Sequence, residues 1–152
     1  MAEQAPRIGP PPAVEFNHVG IAVRDAAEAL QTFQDLFGVE PATEVRMGYD
    51  GSFQYRQFTF GGTRFEFIEP KDEETFLTKF LEWRGEAMHH VTLNVDDLEA
   101  TVAYLESKRP GIIAQRFEHP RVRIAFLRPK MTHGVLIELF EHRKPAPRQA
   151  TD

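Results

Sequence analysis

The 152-residue sequence contains no cysteine, which excludes disulfides, thiolate metal ligands and cysteine nucleophiles. It has no apolar run near the ~20 residues of a membrane-spanning helix, and its N-terminus lacks the apolar core of a signal peptide. Basic residues are few, with 18 Lys and Arg against 23 Asp and Glu and a net charge of −5. These absences predict a cytoplasmic protein that binds neither nucleic acid nor a membrane.

The residues that are present are those of an ordinary globular protein. Hydrophobic residues make up 41% of the chain and charged residues 27%, and the 13 phenylalanines indicate an aromatic-rich interior. A chain of this length is enough for one compact domain or two small fused modules.

A repeat with a period of 72 residues decides between these alternatives. The stretch FNHVGIAV at 16–23 has the pattern of MHHVTLNV at 88–95, and His90 follows His18 by 72 positions. Glu138, in IEL at 137–139, follows Glu66, in FEF at 65–67, by the same 72 positions. Self-similarity at a fixed period indicates two copies of one module.

The two copies predict a metal site. Side chains alternate between the faces of a strand, so His18 and His90 point away from the apolar residues beside them. Those other faces would line a shared cavity that holds His18, Glu66, His90 and Glu138. A set of two imidazoles and two carboxylates suits one divalent ion of Co, Ni, Mn, Zn or Fe. The competing interpretation, a hydrogen-bonded core histidine, explains one such residue but not four at matched spacings.

Each copy has the same order of predicted elements. A strand leads into a helix that begins at Asp25, a capping residue, and ends at Gly38, and the second copy repeats this from Asp97 to Lys108. A short helix is predicted for 75–83 in the connector. Three strands complete each copy: 43–48, 53–60 and 63–69 in the first, and 112–117, 122–128 and 134–141 in the second. The predicted organisation is a flexible Pro-rich leader (1–14), a first module (15–70), a connector (71–87), a second module (88–142) and a flexible tail (143–152).

Several stretches resemble the vicinal oxygen chelate superfamily, which includes glyoxalase I, extradiol dioxygenases and the bleomycin-resistance proteins. They are NHVGIAV at 17–23, GEAMHHV at 85–91, and AFLRPK at 125–130 with HGVLIEL at 133–139. Within the superfamily they are most similar to the methylmalonyl-CoA epimerases. The resemblance implies an α+β fold in which two tandem βαβββ modules form a curved, barrel-like mixed sheet around the metal. It also implies a homodimer and the ligands His18, Glu66, His90 and Glu138.

The implied activity is that of a divalent-metal-dependent isomerase that enolises a small acyl-thioester, such as an acyl-CoA, or a carbonyl compound. Glu138 is the candidate base. A glyoxalase-type lyase and an Fe²⁺ dioxygenase are alternatives from the same superfamily, and a non-catalytic ligand-binding resistance protein is an alternative from another class.

One departure from the epimerases concerns the second base. Those enzymes place a second proton-transfer carboxylate on the middle strand, where this chain reads FQYRQ at 53–57 with no Asp or Glu. Tyr55 is the remaining candidate, although its reference pKa near 10 makes it a poor base unless a metal or Arg56 lowers that pKa. His89, next to a ligand, is predicted to pack or to cap.

Overall fold

The structure is a computed structural model that describes residues 9, 12–41 and 44–143. The predicted leader and tail lie mostly outside these residues. Eight strands and three helices occur in the described part, in the order given by their bounds: β1 Val14–Ala22, α1 Ala26–Phe37, β2 Arg46–Met47, β3 Phe53–Phe60, β4 Thr63–Pro70, α2 Phe76–Arg84, β5 Ala87–Val95, α3 Leu98–Lys108, β6 Ile113–His119, β7 Val122–Leu127 and β8 Ile137–His142. This order confirms two βαβββ modules joined by a helical connector.

Local sequence signals account for the ends of the first helix and the first hairpin. The side chain of Asp25 accepts a hydrogen bond from the Glu28 amide at the start of α1. Gly38 ends that helix with φ +66°, a left-handed conformation that glycine adopts without steric cost. Gly61 and Gly62 both have positive φ, as the tight turn between β3 and β4 requires.

Two predicted strands were too long. β2 contains only Arg46 and Met47, and both are exposed, so no apolar face extends the pairing. β8 begins at Ile137 instead of 134. A short 3₁₀ helix at Pro129–Met131 precedes it, and His133 and Gly134 then adopt φ of +56° and +89°. Positive φ takes both residues out of the extended conformation.

The chain divides into two compact units, Asn17–Thr92 and a second made of the residues before Asn17 together with those from Leu93 onward. In the first unit the strands are ordered β2-β3-β4-β1-β5. β1 pairs with β4 in parallel, whereas β3 pairs with β2 and β4 in antiparallel fashion. The sheet of this unit is therefore mixed.

Helices cover both faces of this sheet unequally. One face packs with α1 in an apolar cluster of Val23, Ala26, Leu30, Val39, Phe58 and Phe67. On the other face, Leu77 and Leu81 of α2 pack in a smaller buried cluster with Ala22 and Ile68, and Phe53, Tyr55 and Phe80 pack against it. Because residues two apart share a face, His18 and Glu66 lie on the α2 face but beyond this cluster.

In the second unit, β7 pairs in antiparallel fashion with both β6 and β8. Residues of α3 pack with these strands in a cluster of Val95, Leu98, Ile112, Ala125, Leu127 and Leu139. The N-cap of α3 is Asp97, as the capping pattern predicts. Among the described residues, no helix has the length and apolarity needed to cross a membrane.

The repeat also extends to a helix-capping carboxylate that sequence reasoning missed. Oε2 of Glu69 accepts from the Ala26 amide of α1 at 2.8 Å, and Oε2 of Glu141 accepts from the Leu98 amide of α3 at 2.6 Å. Glu141 follows Glu69 by 72 positions. In each copy, a glutamate of the last strand thus hydrogen-bonds the first turn of the helix, where the helix dipole favours a negative charge.

Candidate metal centre

Three of the four predicted ligands come together inside the unit Asn17–Thr92. Ligand atoms of His18 on β1, Glu66 on β4 and His90 on β5 all lie within 4.8 Å of one another. β1 runs between the other two strands, and its Gly20 is in register with Glu66. His18 and Glu66 are only 6% and 7% exposed, so water does little to weaken the electrostatic interactions of the Glu66 carboxylate.

Glycine at residue 20 makes room for one ligand. A Cβ atom at Gly20 would lie 2.2 Å from Cε1 of His90, far inside van der Waals contact. Residue 92 is the equivalent position in the second copy, and there Oγ1 of Thr92 lies 3.1 Å from Nε2 of His18. The two copies therefore differ at this position. The first has Gly20, which has no side chain to obstruct the His90 ring, and the second has Thr92, whose hydroxyl contacts the His18 ring.

The surroundings of His18 fit a cation. Its Nδ1 lies 2.9 Å from Oδ1 of Asn17, which also accepts from the Arg64 guanidinium at 3.4 Å. Nδ1 must therefore donate, so Nε2 is the nitrogen left to bind a metal ion or a second proton. That nitrogen faces Oε2 of Glu66 at 3.1 Å. Two electron-rich atoms in such contact need a proton or a metal ion to stabilise them, and the donor set matches that of a divalent metal.

Glu66 has a partner that sequence reasoning missed. Gln57 on β3 is directly opposite Glu66 in the register, and its side-chain amide donates to Oε1 of that carboxylate. The other oxygen, Oε2, is the one that faces His18. The sequence does not show this contact, because it depends on the register in which β3 and β4 pair. Only that register places Gln57 and Glu66 side by side on the same face of the sheet.

His90 is a neutral imidazole in this setting. Burial, followed by the nearby His89 and His18, lowers the pKa of His90 well below its ordinary value. His89 packs edge-on against Phe80 with ring centroids 4.7 Å apart, as the packing interpretation predicts, and burial lowers the pKa of His89 to about 4. A neutral ring retains the lone pair that a metal ligand needs.

Tyr55 shares the sheet face of Gln57 and Glu66, but it loses its proton less readily than a free tyrosine does. Burial, with a smaller contribution from the Glu66 carboxylate, raises the pKa of Tyr55. The cation that opposes this rise is Arg46, which hydrogen-bonds the hydroxyl from β2. The sequence suggested Arg56 for this role, but alternation puts Arg56 on the opposite face.

Glu138 lies in the other unit. It is on β8, opposite Phe126 of β7, and is 9% exposed. Its assignment as a ligand and as a base stays a prediction of the repeat.

Comparisons with known proteins identify a family and a fold. The sequence profile of the glyoxalase/bleomycin resistance protein/dioxygenase superfamily matches residues 17–126. The mitochondrial methylmalonyl-CoA epimerase of Mus musculus is 30% identical over 128 residues, which cover 82% of this chain and 71% of the mouse protein. The crystal structure of methylmalonyl-CoA epimerase from Mycobacterium tuberculosis has a TM-score of 0.69 and 29% identity, over 88% of this chain and 89% of that one. A methylmalonyl-CoA epimerase solved in complex with methylmalonyl-CoA and NH4+ has a TM-score of 0.71 and 25% identity, over 85% and 94% of the two chains.

Proposed function

Because the chain belongs to the glyoxalase/bleomycin resistance protein/dioxygenase superfamily, we propose that it is a divalent-metal-dependent epimerase of an acyl-CoA thioester of the methylmalonyl-CoA type. The observation that carries this proposal is a buried His18–Glu66–His90 group in a chain 30% identical to the mouse epimerase. The group supplies the two imidazoles and the carboxylate that divalent ions bind.

The proposed ligands are His18, Glu66 and His90, with Glu138 as the fourth. Glu138 is included because it is the repeat partner of Glu66 and is similarly buried, at 9% against 7% exposure. Co, Ni, Mn, Zn and Fe all suit such a set. A divalent ion held by these residues supplies a Lewis acid that stabilises the negative charge developing on the thioester oxygen as the α-proton leaves.

The side chains then divide the proton chemistry between them. We assign Glu138 as the base that removes the α-proton, because a carboxylate is ionised at neutral pH. Tyr55 is protonated at neutral pH, since its ordinary pKa of 10.0 is raised further by burial, so it enters the proposal as a proton donor and not as a base. With these roles, removal of the α-proton from one side of the carbon has a carboxylate base. Return of a proton to the opposite side depends on Tyr55, a weaker acid.

A homodimer is part of the proposal, because superfamily members often form dimers. Light scattering of the purified chain tests this part separately from the chemistry. The cytoplasmic location stays a prediction of the sequence.

The test of the activity is α-proton exchange. The protein is loaded with Co²⁺ in deuterated water and given methylmalonyl-CoA, and deuterium at the α-carbon is followed by mass spectrometry. Exchange should be fast with methylmalonyl-CoA and slow with propionyl-CoA, whose α-carbon lacks the second carboxyl group. The His18→Ala variant is the control that lacks a ligand. No exchange by the metal-loaded protein would exclude the epimerase function, and turnover of a glutathione hemithioacetal in its place would favour the lyase.

A further inference from the structure

We propose that Asn17 and His89 are positioning residues, each of which fixes the tautomer of the ligand imidazole that follows it in the chain. In both cases the ligand ring keeps its proton on Nδ1 and presents Nε2 to the metal. This inference rests on the proposed metal site and adds to it two residues outside the ligand set.

The evidence at Asn17 is a hydrogen bond whose direction is determined. Oδ1 of Asn17 lies 2.9 Å from Nδ1 of His18, and the Arg64 guanidinium contacts the same oxygen at 3.4 Å. A guanidinium only donates, so the atom it contacts is the amide oxygen and not the amide nitrogen. Nδ1 of His18 must then carry the proton. The other ring nitrogen, Nε2, faces Oε2 of Glu66 at 3.1 Å.

The evidence at His89 is a contact of the same kind. Nδ1 of His89 lies 3.0 Å from Nδ1 of His90, so one of these nitrogens donates and the other accepts. The His89 ring is held by Phe80 and Phe76, with ring centroids 4.7 and 5.7 Å away. The proposal puts this proton on His90, as in the first copy it is on His18, and the lone pair of the His90 ring is then on Nε2. His89 is then the acceptor, and its packing keeps the acceptor in place.

The repeat makes these two contacts equivalent. His89 follows Asn17 by 72 positions, the same interval that separates His18 from His90. Two chemically different side chains thus make the same contact, to Nδ1 of the next residue, in both copies. Partners of this type orient metal-bound imidazoles and increase their basicity, and their loss typically weakens metal binding by about 10- to 100-fold.

The test compares variants that remove the acceptor with variants that keep one. Asn17→Leu and His89→Phe preserve most of the side-chain volume but cannot accept a hydrogen bond. Asn17→Asp keeps the acceptor. His89→Asn also keeps one, because it gives residue 89 the asparagine found at the equivalent position, residue 17. Co²⁺ affinity is measured by calorimetry, and long-range proton–nitrogen-15 NMR of the metal-free protein identifies which nitrogen of each histidine is protonated.

We expect Nδ1-protonated His18 and His90 in the parent protein. Asn17→Leu should move His18 alone toward the Nε2-protonated form, and His89→Phe should do so for His90 alone. Each should weaken Co²⁺ binding by about 10- to 100-fold, and the variants that keep an acceptor should bind close to the parent.

The outcomes separate the two proposals. A parent protein that binds no divalent metal refutes the metal site itself. A parent that binds metal, with Leu and Phe variants of equal affinity, refutes the positioning role alone. Weaker binding with unchanged tautomers also counts against it, because the loss is then structural. The variants of Asn17 and those of His89 are independent tests of the positioning role. If a variant at one residue fails to fold, the variants at the other residue still test the proposal.

Discussion

The imidazole of His90 occupies the space that a side chain at Gly20 would fill. A Cβ atom there would approach Cε1, Nδ1 and Nε2 of the ring to 2.2, 2.5 and 2.7 Å. β1 therefore carries one proposed ligand, His18, and two residues later provides the space in which the proposed ligand of β5 packs. In the sequence this glycine is only one of 10.

Gly20→Ala should displace His90 and weaken divalent-metal binding by at least about tenfold, since a ligand must be held close to its productive position. The fold should persist with a loss of about 1–3 kcal/mol in unfolding free energy, as is usual for an overpacked site. Gly48→Ala is the matched control, because its Cβ would lie 2.4 Å from the Phe53 ring, a residue outside the ligand group. Equal metal affinities for the two variants would contradict the role of Gly20.

The purified protein should bind one divalent ion per chain, and His18→Ala should abolish that binding while leaving the chain folded. His18 contacts polar partners and not the apolar clusters, so its loss leaves the core intact. Elemental analysis measures the metal, and circular dichroism measures the fold. An unfolded His18→Ala chain would show that the imidazole is structural.

Exchange of the α-proton of methylmalonyl-CoA with solvent should be faster than net epimerisation. Removal needs one base, whereas inversion also needs a donor on the opposite side of the carbon, and β3 carries no carboxylate there. Tyr55→Phe should widen the gap between the two rates, because it removes the proposed donor. Parallel measurement of deuterium uptake and of epimer ratio checks this. Matched rates that the substitution leaves unchanged would point to another second base.

Glu69→Ala should lower the unfolding free energy by about 1–2 kcal/mol, because it leaves the first amide of α1 without its acceptor. Metal affinity should not change. Glu141→Ala should cost more than Glu69→Ala, because Glu141 loses a charged second partner, Arg123 at 2.7 Å, whereas Glu69 loses a neutral one, the Gln54 amide at 2.9 Å. Urea unfolding curves measure both effects. The opposite ranking would mean that the Arg123 pair adds nothing to stability.

Glu106 should make stability depend on pH. Its carboxylate accepts from the amides of Ile113 and Gly111 after the end of α3, and these two hydrogen bonds lower its pKa. A lowered folded-state pKa gives stability that is present above the ordinary glutamate pKa of 4.5 and is lost as the pH falls below it. The difference in unfolding free energy between the parent and Glu106→Gln should therefore be largest near neutral pH and shrink in acid. A difference that stays constant with pH would contradict this.

The sequence alone determined most of the elements, though not the bounds of β2 and β8, and it determined which residues correspond across the repeat. Capping by Asp25 and Asp97, the Gly61–Gly62 turn and the alternation in β1 and β5 are local effects, set by backbone sterics and side-chain hydrogen bonds within a few residues. The 72-residue period then identified His18, Glu66 and His90 without any knowledge of their positions in space.

The tertiary structure decided what surrounds those ligands. Gln57 faces Glu66 only because β3 and β4 pair in one register, and a shift of one residue would turn either side chain to the other face. Asn17 and His89 are on the faces opposite their neighbours by strict alternation, yet both reach Nδ1 of the next residue. Gly20 and Thr92 gain their roles from strands distant in the chain. Such contacts depend on register and ring orientation, which arise from packing between segments and leave no periodic signal in the sequence.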